Sequence, residues 1–432
     1  MGQVQRFESD FLGEAYFRVL HESGLPVYVY PKQTSTVYAL FAVDYGSADN
    51  LTEGGKAPFP EGIAHFLEHK LFSNEDGSDS FEHFSALGAD ANAYTSHTRT
   101  VYLFSATDRV DEALGELVEF VTHPYFTAET VKKEQGIIGE EIRMCADNPY
   151  DRCYYNMLEG LYHNHPVKTE ICGTVRSISR ITDQSLYDCY RTYYRPDRMT
   201  LVVCGDVTVE QVMAVVNAHM PVYPAMPPFE KARVQEPTTV RKSRVTDKGQ
   251  VAKPIFSVGV KDIHIPSDPM ARIRRDAGMA VLSEMLFSES GELYNRMLDA
   301  RRISPDFSAD YAITDDFGFL QISGEAQDPE AVLAEITAYL ADLREKGLSR
   351  EDFERCRRVE LAEYVKGFDS AEEIAGTMVS FIFDGAEPFC YGEILKNMEF
   401  SFVESLFAEF FDPALFTLSV VNPKKQKKGE NE

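Results

Sequence analysis

Leu186-Tyr-Asp-Cys-Tyr190, then Tyr194-Arg-Pro196, then Met199-Thr-Leu-Val-Val-Cys204 is the stretch on which the architecture turns. It reads as a helix, a proline stop and a buried strand, because proline cannot extend the helix and the run after it is apolar and β-branched. The same order returns near the end of the chain, as Val403-Glu-Ser-Leu-Phe407, Phe411-Asp-Pro413 and Phe416-Thr-Leu-Ser-Val-Val421. The chain therefore repeats with a period of about 215 to 225 residues.

Working outward, the repeat extends through each half. Val110, Ala113, Leu114, Leu117, Val118 and Val121 recur at helical spacing, and after His123-Pro124-Tyr125-Phe126 the residue Thr127 is placed to cap a second helix. In the other half a helix over 329–345 is followed by Gly347-Leu348, and Ser349-Arg-Glu-Asp352 opens a further long helix. Pro221, Pro224, Pro227, Pro228 and Pro237 mark the joint, so the expected division is 1–222, a linker at 223–250, and 251–432. Each half mixes hairpin strands with long helices instead of alternating strand and helix. The expected class is α+β: two homologous halves, each a mainly antiparallel sheet with helices packed on one face.

Composition narrows the setting. With 44% hydrophobic and 26% charged residues over 432 positions, the chain is globular, and no apolar run approaches the ~20 residues that span a bilayer. No basic segment followed by an apolar stretch opens it, and the seven cysteines never form a Cys-x-x-Cys pair, so reduced thiols and a cytoplasmic location are expected. The net charge of −26 repels nucleic acid and favours cationic partners. The one basic cluster, Lys424-Lys425-Gln426-Lys427-Lys428, reads as a frayed tail.

The strongest chemical signal is Gly62-Ile-Ala-His65-Phe-Leu-Glu68-His69-Lys-Leu-Phe72, predicted helical over 61–72. His65 and His69 stand one turn apart on one face, the spacing at which two imidazoles share an ion, while Ile63, Phe66, Leu67 and Leu71 supply the core-facing stripe. Glu68 lies beside both histidines, within reach of a proton on water at that ion. A catalytic zinc needs a third protein ligand and an open position. The candidates are Glu134 and Glu141, two turns apart on the helix that Thr127 opens, with Ile137, Ile138 and Ile142 on a neighbouring apolar face and Glu140 pointing elsewhere. This arrangement supports metal-assisted hydrolysis, with zinc activating water and polarising a carbonyl and Glu68 passing the proton on to the leaving amine.

On these residues the chain resembles the pitrilysin/insulinase family, whose His-x-x-Glu-His motif is followed some seventy-odd residues later by a Glu with a supporting Glu seven before it. The resemblance implies zinc (Zn2+) held by His65, His69 and Glu141, Glu68 as catalytic base, and Glu134 as a supporting catalytic carboxylate. It implies that Asn92-Ala93-Tyr94-Thr95 is an edge strand that takes the substrate as an added strand, and that His165-Pro166 and Ile171-Cys-Gly173 belong to the loop after the metal helix. The fold implied is that of the mitochondrial processing peptidases, with 1–222 the metal-binding domain and 251–432 its inactive homologue. Aligning Leu71-Phe72 with Leu286-Phe287 puts Ala280, Ser283 and Glu284 where the first half has His65, Glu68 and His69.

The Arg and Tyr seven apart that many relatives carry in the second half are missing, since Leu298 is followed seven on by Pro305; Arg296, Arg301, Arg302 and Tyr311 stand nearby. Two-chain bacterial members of the family divide the zinc and the Arg/Tyr pair between sister subunits. The expected function is a zinc endopeptidase acting on peptides or short unfolded segments, and the expected partner is a homologous metal-free subunit or a second copy, with no nucleic acid and no membrane. The fine detail resembles bacterial branches associated with elongation factor P modification and cyclic-peptide maturation. The competing readings are a non-catalytic assembly subunit and a zinc-dependent peptide-binding module.

Overall fold

Val37-Tyr-Ala-Leu-Phe-Ala-Val43 is buried along its whole length, which a strand achieves only when both faces of its sheet are covered. The computed structural model describes residues 3–51, 57–224 and 226–424, so the basic tail lies outside the described residues apart from Lys424. Among the described residues twelve strands form two sheets. The first holds β1 (Val4–Ser9), β2 (Glu14–Leu20), β3 (Pro26–Pro31), β4 (Val37–Val43), β5 (Asp90–Thr95), β6 (Thr100–Ala106) and β7 (Met199–Gly205), in the order β1-β2-β3-β7-β4-β6-β5. The second holds β8 (Arg244–Gly249), β9 (Ile255–Lys261), β10 (Ser308–Ile313), β11 (Gly318–Glu325) and β12 (Phe416–Pro423), in the order β10-β11-β9-β12-β8.

Taken from its other edge, β8-β12-β9-β11-β10 repeats β3-β7-β4-β6-β5 strand for strand. Even the parallel pair is repeated, β3 with β7 and β8 with β12, in sheets otherwise antiparallel. The repeat in sequence is thus a repeat in topology, and the class is α+β as expected. The helix–proline–strand signature is present twice: Asp183–Tyr193, a 3-10 turn at Pro196–Arg198 and β7, then Phe400–Phe410, a turn at Pro413–Leu415 and β12.

The chain divides into two compact units, and their boundaries are not those of the sequence halves. One unit comprises residues to 142, 169–233 and 363–390; the other comprises 143–168, 234–362 and the chain from 391 on. In the first, Val27, Val29, Ala39, Phe41 and Val203 face a core shared with the helices Ile63–Leu71, Val110–Thr122 and Asp183–Tyr193. The alternating residues Tyr28, Tyr30, Tyr38, Leu40 and Val202 point to the opposite face, where Ile374, Ala375, Met378 and Val379 of the helix Ala371–Phe383 cover them.

The second unit is built reciprocally. Met157, Leu158 and Leu161 of the helix Pro149–Leu161 pack with Phe317 and Phe319. That helix lies so close to β9 that a Cβ at Gly259 would come within 2.7 Å of Met157 and 2.8 Å of Leu161. Helices on one face alone, the expectation from sequence, leaves out these exchanged elements: each sheet takes its second cover from the other half of the chain.

A further difference concerns 223–250, expected to be linker. Its last residues form β8, an edge strand whose Arg-Val-Thr-Asp-Lys alternates exposed and half-buried positions before the buried Gly249 and so carries little apolar signal. The irregular part before it is tied down at both ends. Lys231 pairs with the buried Asp49 at 2.7 Å in one unit, and Glu236 pairs with the buried Lys261 at 2.8 Å in the other. Among the described residues no helix is long and apolar enough to cross a membrane.

Candidate metal centre

The helix Ile63–Leu71 begins two residues later than the sequence predicts, because Gly62 stands in the left-handed region at φ +87° and leaves Glu61 in a turn. Gly62 is needed there for a second reason. A Cβ on it would lie 2.4 Å from the carbonyl oxygen of Cys172, and a Cβ on Gly173, itself at φ +70°, would lie 2.6 Å from that of Glu61. The two glycines interlock the 170–173 loop with the start of the helix. Ile63, Phe66, Leu67 and Leu71 are buried as the periodicity requires, and His65 and Glu68 are buried with them, each 7% exposed.

Facing this helix is Ala128–Asp147, whose first turn is capped by Thr127 accepting the Thr130 amide at 3.2 Å. Its apolar face is narrower than expected. Ile138 and Ile142 are buried, but Ile137 is 49% exposed, because the strip that carries Glu134 and Glu141 takes the side next to the histidines. Glu140 is exposed, as its helical phase requires.

The expected set converges. His65 Nε2 lies 3.4 Å from one Glu141 carboxylate oxygen and His69 Nε2 lies 3.6 Å from the other, with the two rings edge to face, centroids 4.6 Å apart. His69 Nδ1 lies 3.2 Å from Glu134. An ionised carboxylate only accepts, so Glu134 places the His69 proton on Nδ1 and leaves Nε2 with its lone pair towards Glu141. Two imidazoles and a carboxylate, one imidazole steadied by a further carboxylate, fit a zinc ion well.

Charge supports the same arrangement. The hydrogen bond from His65 holds the Glu141 carboxyl below its usual range against partial burial, helped by the charges of His65 and His69. Burial pulls His69 down, but the Glu134 hydrogen bond and the charges of Glu68, Glu134 and Glu141 outweigh it, and the net shift is upward. Lys70, next along the motif, is buried and lowered by that burial, with Glu134 opposing; its ammonium donates to Ser73 at 2.9 Å.

Asn92, Ala93, Tyr94 and Thr95 lie on β5, at the free edge of the first sheet. Ala91 and Ala93 pack inwards while Asn92 and Tyr94 are exposed. Thr95 ends the strand and does something the sequence does not disclose: its hydroxyl donates to Glu68 Oε2 at 2.6 Å. Cys172 is a second residue without a sequence signal of its own. With His65 and Glu141 it forms the group of metal-donor atoms that meets within 4.8 Å among the described residues.

Residues 27–175 match the family model described as Insulinase (Peptidase family M16), and 180–360 match that described as Peptidase M16 inactive domain. The uncharacterized zinc protease YmfH of Bacillus subtilis (strain 168) is 36% identical over 428 residues, covering 98% of this chain and 100% of the relative. The chain belongs to peptidase family M16. A solved M16-like peptidase from Alicyclobacillus acidocaldarius superposes with a TM-score of 0.91 at 32% identity, covering 97% of this chain and 100% of the other. Pitrilysin shares the fold, with a TM-score of 0.78 at 18% identity, covering 98% of this chain but 47% of its own.

The second half of this M16 chain has its own arrangement around the matching positions. Ala280, Ser283 and Glu284 line one cavity together with Glu360 and Tyr311. The residues standing near the missing Arg/Tyr pair are engaged elsewhere: Arg296 and Arg302 both grip Glu335, at 3.1 and 2.7 Å, and Tyr311 donates to the buried Asp262 at 2.5 Å.

Proposed function

We propose that this chain is a metal-dependent endopeptidase, with His65, His69 and Glu141 as zinc ligands and Glu68 as general base. The observation that carries the reading is the convergence of both Nε2 atoms on the Glu141 carboxylate, with Glu68 buried in the same helix turn. Bound there, zinc supplies Lewis-acid chemistry, making water nucleophilic near neutral pH and polarising the scissile carbonyl. Glu68 takes the proton and delivers it to the leaving amine. Thr95 occupies Glu68 Oε2, which leaves Oε1 to carry that proton. Glu134 orients His69. The unpaired edge of β5 accepts an extended peptide by main-chain hydrogen bonds, with Asn92 to Thr95 as its contacts.

A second, homologous subunit completes the working enzyme. This is supported by the chain's 47% share of pitrilysin and by the engagement of Tyr311 and the neighbouring arginines within their own unit. The seven cysteines, all thiols, support a reducing, cytoplasmic setting.

Hydrolysis of a quenched fluorescent peptide library, with and without chelator, tests the reading on wild type and Glu68→Gln. Cleavage is expected to be chelator-sensitive and at least ~100-fold slower in Glu68→Gln, with zinc content unchanged. Stoichiometric zinc without turnover in the isolated chain would place catalysis in the complex with its partner. A chain that neither binds zinc nor turns over peptide sinks the proposal.

A further inference from the structure

His65 and Glu141 belong to two donor sets. One includes His69; the other includes Cys172, whose sulfur lies with the His65 and Glu141 ligand atoms inside a 4.8 Å cluster. The position of Cys172 is built in rather than incidental, because the interlocked glycines at 62 and 173 pin its backbone against the start of the metal helix.

The two histidines are also held differently. His69 is anchored through Nδ1 by Glu134 at 3.2 Å, whereas His65 is buried and its Nδ1 has no hydrogen-bond partner. A ligand imidazole ordinarily donates from its second nitrogen, and that bond sets the ring's direction. His65 lacks that second bond, so its ring is held through its Nε2 contact with Glu141, the other member of both sets.

We propose that Cys172 is a reserve metal ligand, forming with His65 and Glu141 a thiolate-containing triad that overlaps the His65–His69–Glu141 set. The inference rests on the metal-centre reading above. Donors on one zinc stand about 3.5–4 Å apart, given metal bonds of about 2.0–2.3 Å, so the cluster closes with roughly 1 Å of side-chain movement. Ligation forms a metal–sulfur bond and breaks the thiol S–H bond, the proton leaving to solvent. The added thiolate biases the site towards zinc and cobalt and away from manganese and magnesium, which prefer oxygen donors. It also gives the ion a hold that survives the loss of His69.

The test uses the full chain loaded with Co(II), reading cobalt content and the near-ultraviolet thiolate-to-cobalt absorption in wild type, Cys172→Ser, His69→Ala and the double variant. His69→Ala is expected to keep cobalt and to show the thiolate band. The double variant is expected to lose the band and to bind cobalt at least ~10-fold more weakly than His69→Ala. Circular dichroism and the melting temperature of each variant serve as the folding control. His69→Ala without cobalt, or with cobalt but no band, overturns the role of Cys172 while wild-type binding leaves the metal centre standing. Folded wild-type protein that takes up no cobalt removes the metal centre, and this inference with it.

Discussion

The helices Ile63–Leu71 and Pro269–Phe287 hold corresponding places in the two halves, and they differ in what surrounds them. Each follows a fully buried central strand, β4 or β9, and precedes a hairpin whose outer strand, β5 or β10, is a sheet edge. The first presents His65, Glu68 and His69 to the carboxylates of the facing helix. The second presents Ala280, Ser283 and Glu284, and the strength of its neighbourhood goes into an ion cluster: Arg275 grips Asp262 through two nitrogens at 2.7 and 2.9 Å, Tyr311 donates to the same carboxylate, and Arg275 also pairs with Glu409. The scaffold is common to both halves, so it does not distinguish them; a handful of side chains does.

The largest expected effect comes from erasing that difference. Glu360 already lines the cavity that holds Ala280 and Glu284, so Ala280→His with Glu284→His rebuilds a two-imidazole, one-carboxylate set in the second half. Elemental analysis is expected to find two zinc ions per chain instead of one. A folded variant that still binds one would show that the backbones of the two halves are not interchangeable.

Next in size, Arg275→Met leaves Asp262 buried without its cation and is expected to lower stability by about 3–5 kcal/mol in urea denaturation. Turnover per folded molecule should stay at the wild-type level, since the first unit is untouched. A loss below about 1 kcal/mol would mean that the cluster is not what holds the second half.

The smallest effect compares the two straps of the proline-rich segment, a cation on Asp49 in one unit and an anion on Lys261 in the other. Burial pushes the Asp49 carboxyl up to about 6, against the pull of Lys231 and the Gly46 amide. The stability that its neutral form contributes is complete below about pH 4 and is lost as pH rises through about 6. Asp49→Asn, which mimics that neutral form, is therefore expected to be more stable than wild type by on the order of 2 kcal/mol near pH 8 and equal to it near pH 4. Melting temperatures across that range decide it; a less stable variant near pH 8 would rank the Lys231 pair above the burial cost.

The sequence discloses the fold where local chemistry and periodicity agree. Thr127 and Ser349 mark helix starts through hydrogen bonds made within a few residues, the prolines mark stops because they lack an N–H to donate, and the i, i+3, i+4 phase of His65, Glu68 and His69 survives a helix start two residues late. What escapes it depends on distant partners. An apolar face on Pro149–Leu161 or Ala371–Phe383 says that the helix must be buried, not against which sheet. The apolar pattern likewise misses β8, whose residues are mostly polar. In the site, the bond from Thr95 to Glu68 and the approach of Cys172 are set by a hairpin and a loop, which have no helical phase to read.

The exchange of the helices Pro149–Leu161 and Ala371–Phe383 has a consequence for how the chain is made. Synthesis runs from the N-terminus, and the tyrosines at 28, 30 and 38 wait for cover from residues 374–379. A sheet whose strands emerge early on the ribosome is not finished until residues 374–379 have followed. Two genes cut at the proline-rich joint would each encode a sheet with one bare face.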